Sequence, residues 1–137
     1  MRFIGVVETA GERKAKVRIY QKFCSGLKEI ETFSHIIILY WFNLRDKEDE
    51  RSTLQVIPKR HTTAVQVGVF ACRSPSRPNP VGLCVAELTK IEKRTLHVKG
   101  LDALKGSPII DIKPYIPKAD AVPDAKVPEW TSHGPST

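Results

Sequence analysis

The sequence predicts a mainly β fold, a small β-barrel with few short helices and an extended C-terminal tail that contains prolines. Seven short segments are apolar throughout or alternate between apolar and polar residues, which is typical of strands. Helical periodicity is scarce, and we place only one short helix, around 27–32. Many short strands with few helices favour an antiparallel or mixed barrel.

The predicted strands follow one another from the start of the chain. Apolar residues at 3–7 indicate the first, and KAKVRIY at 14–20 alternates apolar with basic residues after a turn at Gly11. The run HIIILYWF, at 35–42, suits a strand buried on both faces. The remaining strand-like segments are 65–71, 81–91, 95–100 and 108–113.

Two other segments read as surface. NLRDKEDERST, at 43–53, is dense in charges of both signs without an apolar period, which predicts a solvated loop. The last residues carry repeated prolines and few apolar side chains, which predicts an extended tail over 117–137. With 137 residues in all, we expect a single domain over 1–137.

Composition limits the setting of the protein. The hydrophobic fraction of 41% and the charged fraction of 27% are those of a globular chain, which excludes disorder as the whole description. Three widely spaced cysteines predict neither a disulfide framework nor a zinc site, and they favour a reducing cytoplasm. No apolar run approaches the roughly 20 residues of a membrane span, and the N-terminus lacks the apolar region of a signal peptide. We therefore expect a cytoplasmic protein. A net charge of +7 suits RNA or DNA as a partner, and a merely basic protein is an equal alternative.

The stretch CRSPSRPNP, at 72–80, fixes two arginines, Arg73 and Arg77, among three prolines. The prolines restrict their own backbone angles and those of the preceding residues, so the loop loses little entropy when it binds a ligand. Arginine offers paired donors for carboxylate or phosphate and a flat face for stacking on a base. The loop therefore suits a nucleotide-like ligand. A structural loop whose arginines pair with Asp102 or Asp111 is the alternative.

A second candidate is DIKPY, where Asp111, Lys113 and Tyr115 occupy alternate positions of an extended segment and project to one side. A salt-bridged strand end explains the pattern equally well.

His35 opens the most apolar segment, where a core histidine bonded to backbone is the simpler interpretation. No metal-ligand spacing links the four histidines. A phosphate-binding glycine loop, a dinucleotide fingerprint and a nucleophile elbow are also missing from the sequence, which argues against kinases, dehydrogenases and hydrolases.

Two long motifs, VGVFACRSPSRPNPVGLCVAEL followed by KGLDALKGSPIIDIKPYIPKAD, closely resemble the TsaA-like family, whose characterised bacterial members are the TrmO tRNA methyltransferases. FSHIIILYWF and IGVVE resemble its remaining blocks, so the likeness covers about residues 1–120. The resemblance implies a β-barrel that binds S-adenosyl-L-methionine and usually works as a homodimer. It also implies methyl transfer to N6 of threonylcarbamoyladenosine, beside the anticodon of tRNA.

The resemblance also assigns residues. Those that match the family's arginine loop, which borders the cofactor cleft, are Phe70, Ala71, Arg73, Ser74, Arg77, Pro78 and Asn79. The resemblance also places Asp111, Lys113 and Tyr115 in a segment that helps to close this cleft near a dimer neighbour, and His35 in the family's buried strand. Our hypothesis for catalysis is that Asp111, Tyr115 or His35 takes the proton and that Lys113 tunes this group electrostatically. The sequence departs mildly from the family at Cys72, Lys105 and Ser107.

We expect the tRNA anticodon loop as substrate, with Lys14, Lys16, Lys59 and Arg60 as possible phosphate contacts, although ordinary surface lysines explain each of them singly. Bacterial members carry an additional C-terminal domain, and the printed sequence ends where that domain would begin. Two alternatives remain open. One is a barrel that binds S-adenosyl-L-methionine and methylates another RNA or a small molecule. The other is a non-catalytic RNA-binding barrel, for which several exposed aromatic side chains would be expected.

Overall fold

A computed structural model describes residues 1–58 and 65–133 of the chain. Six strands close into an antiparallel barrel, and a separate two-stranded sheet lies outside it. The barrel strands are β1 (Gly5–Ala10), β2 (Lys14–Ile19), β3 (His35–Trp41), β6 (Val81–Glu92), β7 (Thr95–Lys99) and β8 (Pro108–Pro114), and the small sheet is β4 (Gln55–Val56) with β5 (Val67–Gly68). The order around the barrel is β1-β2-β7-β6-β3-β8, and β8 pairs with β1 to close it. The predicted mainly β barrel is confirmed.

Alternation of side chains along each strand fills the barrel interior. In β2, for example, Ala15, Val17 and Ile19 are buried and Lys14 and Lys16 are exposed. The larger fully buried side chains include those of Ile19, Ile36, Ile38, Leu96 and Ile109. Burial of aliphatic side chains is the main stabilising contribution, worth about 1.5–3 kcal/mol for each.

The segment 35–42 is less buried than predicted. Ile36, Ile38 and Tyr40 are buried, whereas Ile37 and Leu39 on the opposite face are only half-buried. The prediction of burial on both faces was wrong because one face of β3 points out of the barrel. Ile37 and Leu39 on that outer face are therefore partly accessible to a ligand or a partner.

The helical content also differs from the prediction. Two 3-10 helices, Gln21–Leu27 and Ile30–Thr32, occur where one helix was expected. The predicted loop at 43–53 contains a 3-10 turn, Asn43–Arg45, and one turn of α-helix, α1 (Glu48–Arg51). The predicted strand at 65–71 is strand only at β5 and then turns into a 3-10 helix, Val69–Ala71.

The C-terminal tail leaves the barrel after β8. It contains one helical turn, α2 (Pro117–Asp120), and a 3-10 helix, Glu129–His133, joined by non-helical chain. Pro117 occupies the start of α2, where its missing N–H costs no hydrogen bond. None of the helices in the described ranges is long and apolar enough to cross a membrane.

Candidate functional site

A cavity of about 290 Å³ opens at the start of β6, beside the predicted arginine loop. Its walls come from four parts of the chain: the end of β3, the loop itself, the first residues of β6, and the connection between β7 and β8. The lining residues are Tyr40, Phe42, Cys72, Arg73, Pro75, Arg77, Val81, Gly82, Leu83, Cys84 and Asp102. Aromatic and aliphatic surface next to two guanidinium groups suits a ligand with both apolar and anionic parts.

The two arginines of the loop have different surroundings. The Arg77 Nη1 donates to the backbone carbonyls of Cys72 and Ser74, each at 3.1 Å, so this side chain holds the loop in its bent shape. Arg73 is exposed, and in the described part of the chain no hydrogen-bond partner is found for its guanidinium. Arg73 is therefore the cation available to a ligand. The alternative prediction, pairing of the arginines with Asp102 or Asp111, is not what the described residues show.

The charged segment 43–51, which we call the brace, forms hydrogen bonds to the far side of this loop. The Arg51 Nε donates to the Pro78 carbonyl at 2.8 Å, and its Nη2 lies 3.3 Å from Asn79 Oδ1. The Arg51 guanidinium also lies over the Trp41 ring, 5.7 Å from its centroid. The segment 43–53 is largely exposed, as predicted, but it is more than a solvated loop, because its side chains also fix the far side of the arginine loop.

A second part of the brace contacts Ser76. The Arg45 Nη1 donates to Ser76 Oγ at 3.2 Å, and the Ser76 hydroxyl in turn donates to Glu50. That hydrogen bond from Ser76, with further stabilisation by Arg45 and Lys47, holds the pKa of Glu50 below its ordinary value. Glu50 therefore stays ionised to a lower pH than an ordinary glutamate and accepts hydrogen bonds from both Arg45 and Ser76.

The local ion pairs of the brace could be predicted from the sequence, because residues of opposite charge stand five positions apart. Arg45 pairs with Glu50 at 3.2 Å, and Arg51 pairs with Asp46 at 3.0 Å. The contacts to residues 76–79, however, join parts of the chain 26 to 31 residues apart, which local spacing does not reveal.

The residues predicted to bind the cofactor fall into three groups. Arg73 and Arg77 line the cavity. Phe70, which is 80% exposed, and Ala71 lie in the 3-10 turn that leads into the loop. The remaining three belong to the frame of the loop, since Ser74 Oγ accepts from the Ser76 N–H and the brace contacts the other two: Ser74, Pro78 and Asn79.

Sequence reasoning missed the aromatic wall of the cavity. Tyr40 and Phe42 meet edge to face, with ring centroids 5.2 Å apart, and the Tyr40 hydroxyl donates to the Asp102 carbonyl. Gly82 lies against both rings, because a Cβ at this position would come within 2.9 Å of each. Alternate positions in an apolar strand were the available signal, but they do not distinguish a cavity wall from core.

The predicted catalytic residues form a separate cluster on the outer face of the barrel. Asp111 and Lys113 project to one side, as predicted, and their side chains form an ion pair at 3.1 Å. Asp111 Oδ1 also accepts from the Ile112 N–H at 2.9 Å. The Tyr115 N–H donates to the carbonyl of His35, which places both at the same end of β3 and β8. None of these four residues lines the cavity within one chain.

His35 is not the core histidine that was expected. Its side chain is exposed, and the ring Nδ1 lies 2.8 Å from the hydroxyl of Ser34. Its position on β3 explains the difference, because β3 begins with His35 facing outward and the first fully buried residue is Ile36. His35 is therefore accessible for chemistry or for contact with a partner.

An exposed apolar strip begins at the cavity wall and runs along β6, two strands away from this cluster. The outward residues of β6 in this strip are Val81, Leu83 and Val85, which are 38%, 48% and 41% exposed. Leu83 lies opposite Leu39 of β3, and Leu39 lies opposite Asp111 of β8. Asp111 is thus two strands, about 10 Å, from a residue of the cavity wall.

No group of three or more His, Cys, Asp and Glu side chains within residues 1–58 and 65–133 could hold a metal ion. In the same ranges no disulfide joins Cys24, Cys72 or Cys84.

Residues 7–121 match the family described as the tRNA-methyltransferase O N-terminal domain. An S-adenosyl-L-methionine-binding protein of Archaeoglobus fulgidus is 46% identical over 108 residues, which cover 79% of this chain and 73% of the relative. A human tRNA (adenine(37)-N6)-methyltransferase is 35% identical over 108 residues, covering 79% of this chain and 24% of the relative.

The crystal structure of TrmO from Pseudomonas aeruginosa superposes with a TM-score of 0.68 at 28% identity. The match covers 90% of this chain and 58% of the solved chain. The described chain thus spans less than two thirds of the solved protein.

Proposed function

This chain belongs to the family of the tRNA-methyltransferase O N-terminal domain, and we propose that it is an S-adenosyl-L-methionine-dependent tRNA methyltransferase. The observation that carries the proposal is the cavity in which Arg73, without a partner among the described residues, faces an aromatic and aliphatic wall. The arginine loop would hold the carboxylate of the cofactor, and the wall of Tyr40, Phe42 and Leu83 would contact its adenosine.

The cavity fits this cofactor on chemical grounds. S-adenosyl-L-methionine combines an anionic carboxylate, a flat base and a cationic sulfonium that supplies the methyl group. Arg73 provides a charged, two-pronged donor for a carboxylate, and the edge-to-face pair of Tyr40 and Phe42 provides apolar surface for a ring system. Asp102 lies in the same wall and adds an acidic group near a bound cation.

The proposed target is N6 of adenine beside the tRNA anticodon, in its threonylcarbamoyl form. That nitrogen is conjugated to a carbonyl, so its proton must leave as the new N–C bond forms, and a proton acceptor is required. The main contribution of the chain is to hold the reacting atoms in line. We assign proton removal to Asp111, Tyr115 or His35, and electrostatic tuning to Lys113, which contacts Asp111 directly.

Because these residues lie on the outer face, the assignment requires that face to be covered. A second copy of the chain seated on Val81, Leu83 and Val85 would enclose the cavity mouth and the Asp111 cluster together and exclude water. We therefore include a homodimer, with residues 1–137 as one unit, in the proposed function. A cytoplasmic location, where tRNA is available and cysteines stay reduced, completes the proposal.

The first experiment is calorimetric titration of the protein with S-adenosyl-L-methionine. Arg73→Ala is expected to weaken binding about ten- to a hundredfold, because a charge-assisted hydrogen bond contributes about 1.5–3 kcal/mol. Lys28→Ala, which also removes one exposed positive charge, is the matched control and should bind like the wild type. A folded wild-type protein that does not bind the cofactor would overturn the proposal.

The second experiment follows methyl transfer to threonylcarbamoyl-modified tRNA. Asp111→Asn, Tyr115→Phe and His35→Ala are compared by turnover at saturating cofactor, and loss of turnover with retained cofactor affinity would identify the proton acceptor. Near-normal rates in all three variants would remove the assignment. Transfer to unmodified RNA or to small molecules, without transfer to this tRNA, would favour the alternative substrate class.

A further inference from the structure

A second cavity, of about 420 Å³, lies on the outer face of β1, β2, β7 and β6, away from the arginine loop. Its lining residues are Thr9, Lys14, Ala15, Lys16, Thr89, Lys90, His97, Val98 and Lys99. The four lysines are exposed and come from three adjacent strands. We call Lys14, Lys16, Lys90, Lys99 and His97 the lysine face.

Two β-bulges assemble this surface. The pairing of β1 with β2 shifts by one residue between Val7 and Thr9, which brings Thr9 opposite Lys16. The pairing of β6 with β7 shifts between Leu88 and Lys90, which brings Lys90 opposite His97. Bulges redirect side chains and bend the strand that contains them. Lys16 and His97 also pair with each other, so one row of polar side chains crosses four strands.

The charges of the lysine face are not balanced within the described chain. Lys14 lies directly opposite Lys99, and like charges in this arrangement destabilise a sheet. Glu92 contacts Lys90 at 2.9 Å and His97 at 3.0 Å, but among the described residues no acidic side chain forms an ion pair with Lys14, Lys16 or Lys99. Glu87 lies opposite Lys99 in register without reaching it as an ion pair. The arrangement leaves three lysines for an external anion.

The positive charges of the lysine face also lower the pKa of Glu92. Its pKa is lowered from the ordinary value by the hydrogen bond from Lys90 and by the charges of Lys90, His97 and Lys16. Lys16 thus contributes to the electrostatic potential around Glu92.

We propose that the lysine face binds the sugar–phosphate backbone of an RNA stem, a role that rests on the proposed tRNA substrate. Lysine is a compact point charge suited to phosphate, and contacts to the sugar–phosphate backbone position RNA rather than select its sequence. Strand β6 joins the two sites: Leu83 lines the first cavity, and Lys90 lies seven residues, roughly 20 Å, further along. A target base presented at the mouth of the first cavity, beside the bound cofactor, and phosphates of the adjoining stem can therefore contact the same strand.

The test uses an RNA hairpin with the sequence of a tRNA anticodon stem and loop, without modified bases. Binding is measured at several salt concentrations for the wild type and for the triple variant Lys14→Gln, Lys16→Gln, Lys99→Gln. The matched control is Lys28→Gln, Lys118→Gln, Lys126→Gln, which removes the same charge from exposed positions outside the cavity. S-adenosyl-L-methionine binding is titrated for all three proteins.

We expect the lysine-face variant to lose tenfold or more in RNA affinity at about 0.1 M salt and to show a salt dependence flattened by about 2–3 in log–log slope, since each lost phosphate contact removes roughly 0.9. The control should lose much less, and cofactor affinity should be unchanged in both.

Equal RNA binding by the two variants would overturn the lysine face while leaving the proposed function intact. Lost cofactor binding by the wild type, with RNA binding still dependent on the lysine face, would instead overturn the methyltransferase. Absence of RNA binding by the wild type would overturn the lysine face as well.

Discussion

At the scale of single residues, two arginines from one loop take different tasks. The Arg77 Nη1 donates to two backbone carbonyls of the loop, whereas the Arg73 guanidinium lines the cavity. Chemically identical side chains thus divide into one that shapes the loop and one that is available to a ligand. The division follows from the fold of the loop, whose carbonyls at Cys72 and Ser74 lie within reach of Arg77.

Stability measurements should separate the two arginines. Arg77→Ala removes two hydrogen bonds to carbonyls and should lower the free energy of unfolding by about 1–3 kcal/mol, with cofactor affinity reduced as the loop loosens. Arg73→Ala should reduce affinity without a change in stability, because this side chain has no hydrogen-bond partner in the described chain. Denaturant unfolding followed by titration of each variant checks this. Equal losses of stability in both variants would contradict the division.

Gly82 is a second residue with a specific role. A Cβ there would lie 2.5 Å from Tyr40 Cζ and 2.9 Å from Phe42 Cζ, so Gly82→Ala must displace the aromatic wall. We expect a loss of about 1–3 kcal/mol in the free energy of unfolding and weaker cofactor binding. Gly26→Ala, where nothing lies within 4 Å of the added carbon, is the control. A Gly82→Ala protein that is as stable as this control would show that the wall can move freely.

At the scale of elements, the strands were predictable from sequence and the contacts between distant segments were not. The alternation in β2 and the apolar runs of β3 and β6 located the barrel correctly, because side-chain period reports which face is buried. The arginine loop was also found, from its prolines. The brace at 43–51 was missed, since its contacts to Ser76 and Pro78 depend on tertiary placement. His35 was misplaced because a strand's first residue can face outward even when the run behind it is apolar.

The brace predicts a pH dependence of stability. Since folding lowers the pKa of Glu50, its carboxylate stabilises the folded state fully above its ordinary value of 4.5, and this contribution is lost as the pH falls through the lowered value. The melting temperature of Glu50→Gln should therefore lie below that of the wild type at pH 7, and the difference should shrink below pH 4.5. Asp49→Asn, on the same helical turn, is the control. A difference that stays constant from pH 7 to pH 3 would contradict this role of Glu50.

At the scale of the whole molecule, one long strand organises two surfaces. The first half of β6 lines the cavity beside the arginine loop and carries the apolar strip. The second half reaches the lysine face. The strand can contribute to both surfaces because it is 12 residues long and because a bulge changes which of its side chains face outward. A barrel of six strands can in this way hold a cofactor at one end and a polyanion at the other.

The apolar strip predicts the assembly of the molecule. Val85 is 41% exposed and lies opposite Ile37 of β3, and it does not line the cavity, so Val85→Glu tests the interface without touching the ligand site. A buried, unpaired carboxylate in an apolar interface is costly, so we expect Val85→Glu to sediment as a monomer at micromolar concentrations at which the wild type sediments as a dimer. Val127→Glu, which introduces the same charge at a 68% exposed position in the tail, should remain dimeric. If Val85→Glu is monomeric and inactive, yet folded, then closure of the Asp111 cluster by a second copy explains why the proton acceptors lie outside the cavity of a single chain. A wild type that sediments as a monomer, or an active monomeric variant, would require the proton acceptor to be sought within the cavity wall, where Asp102 is the acidic residue.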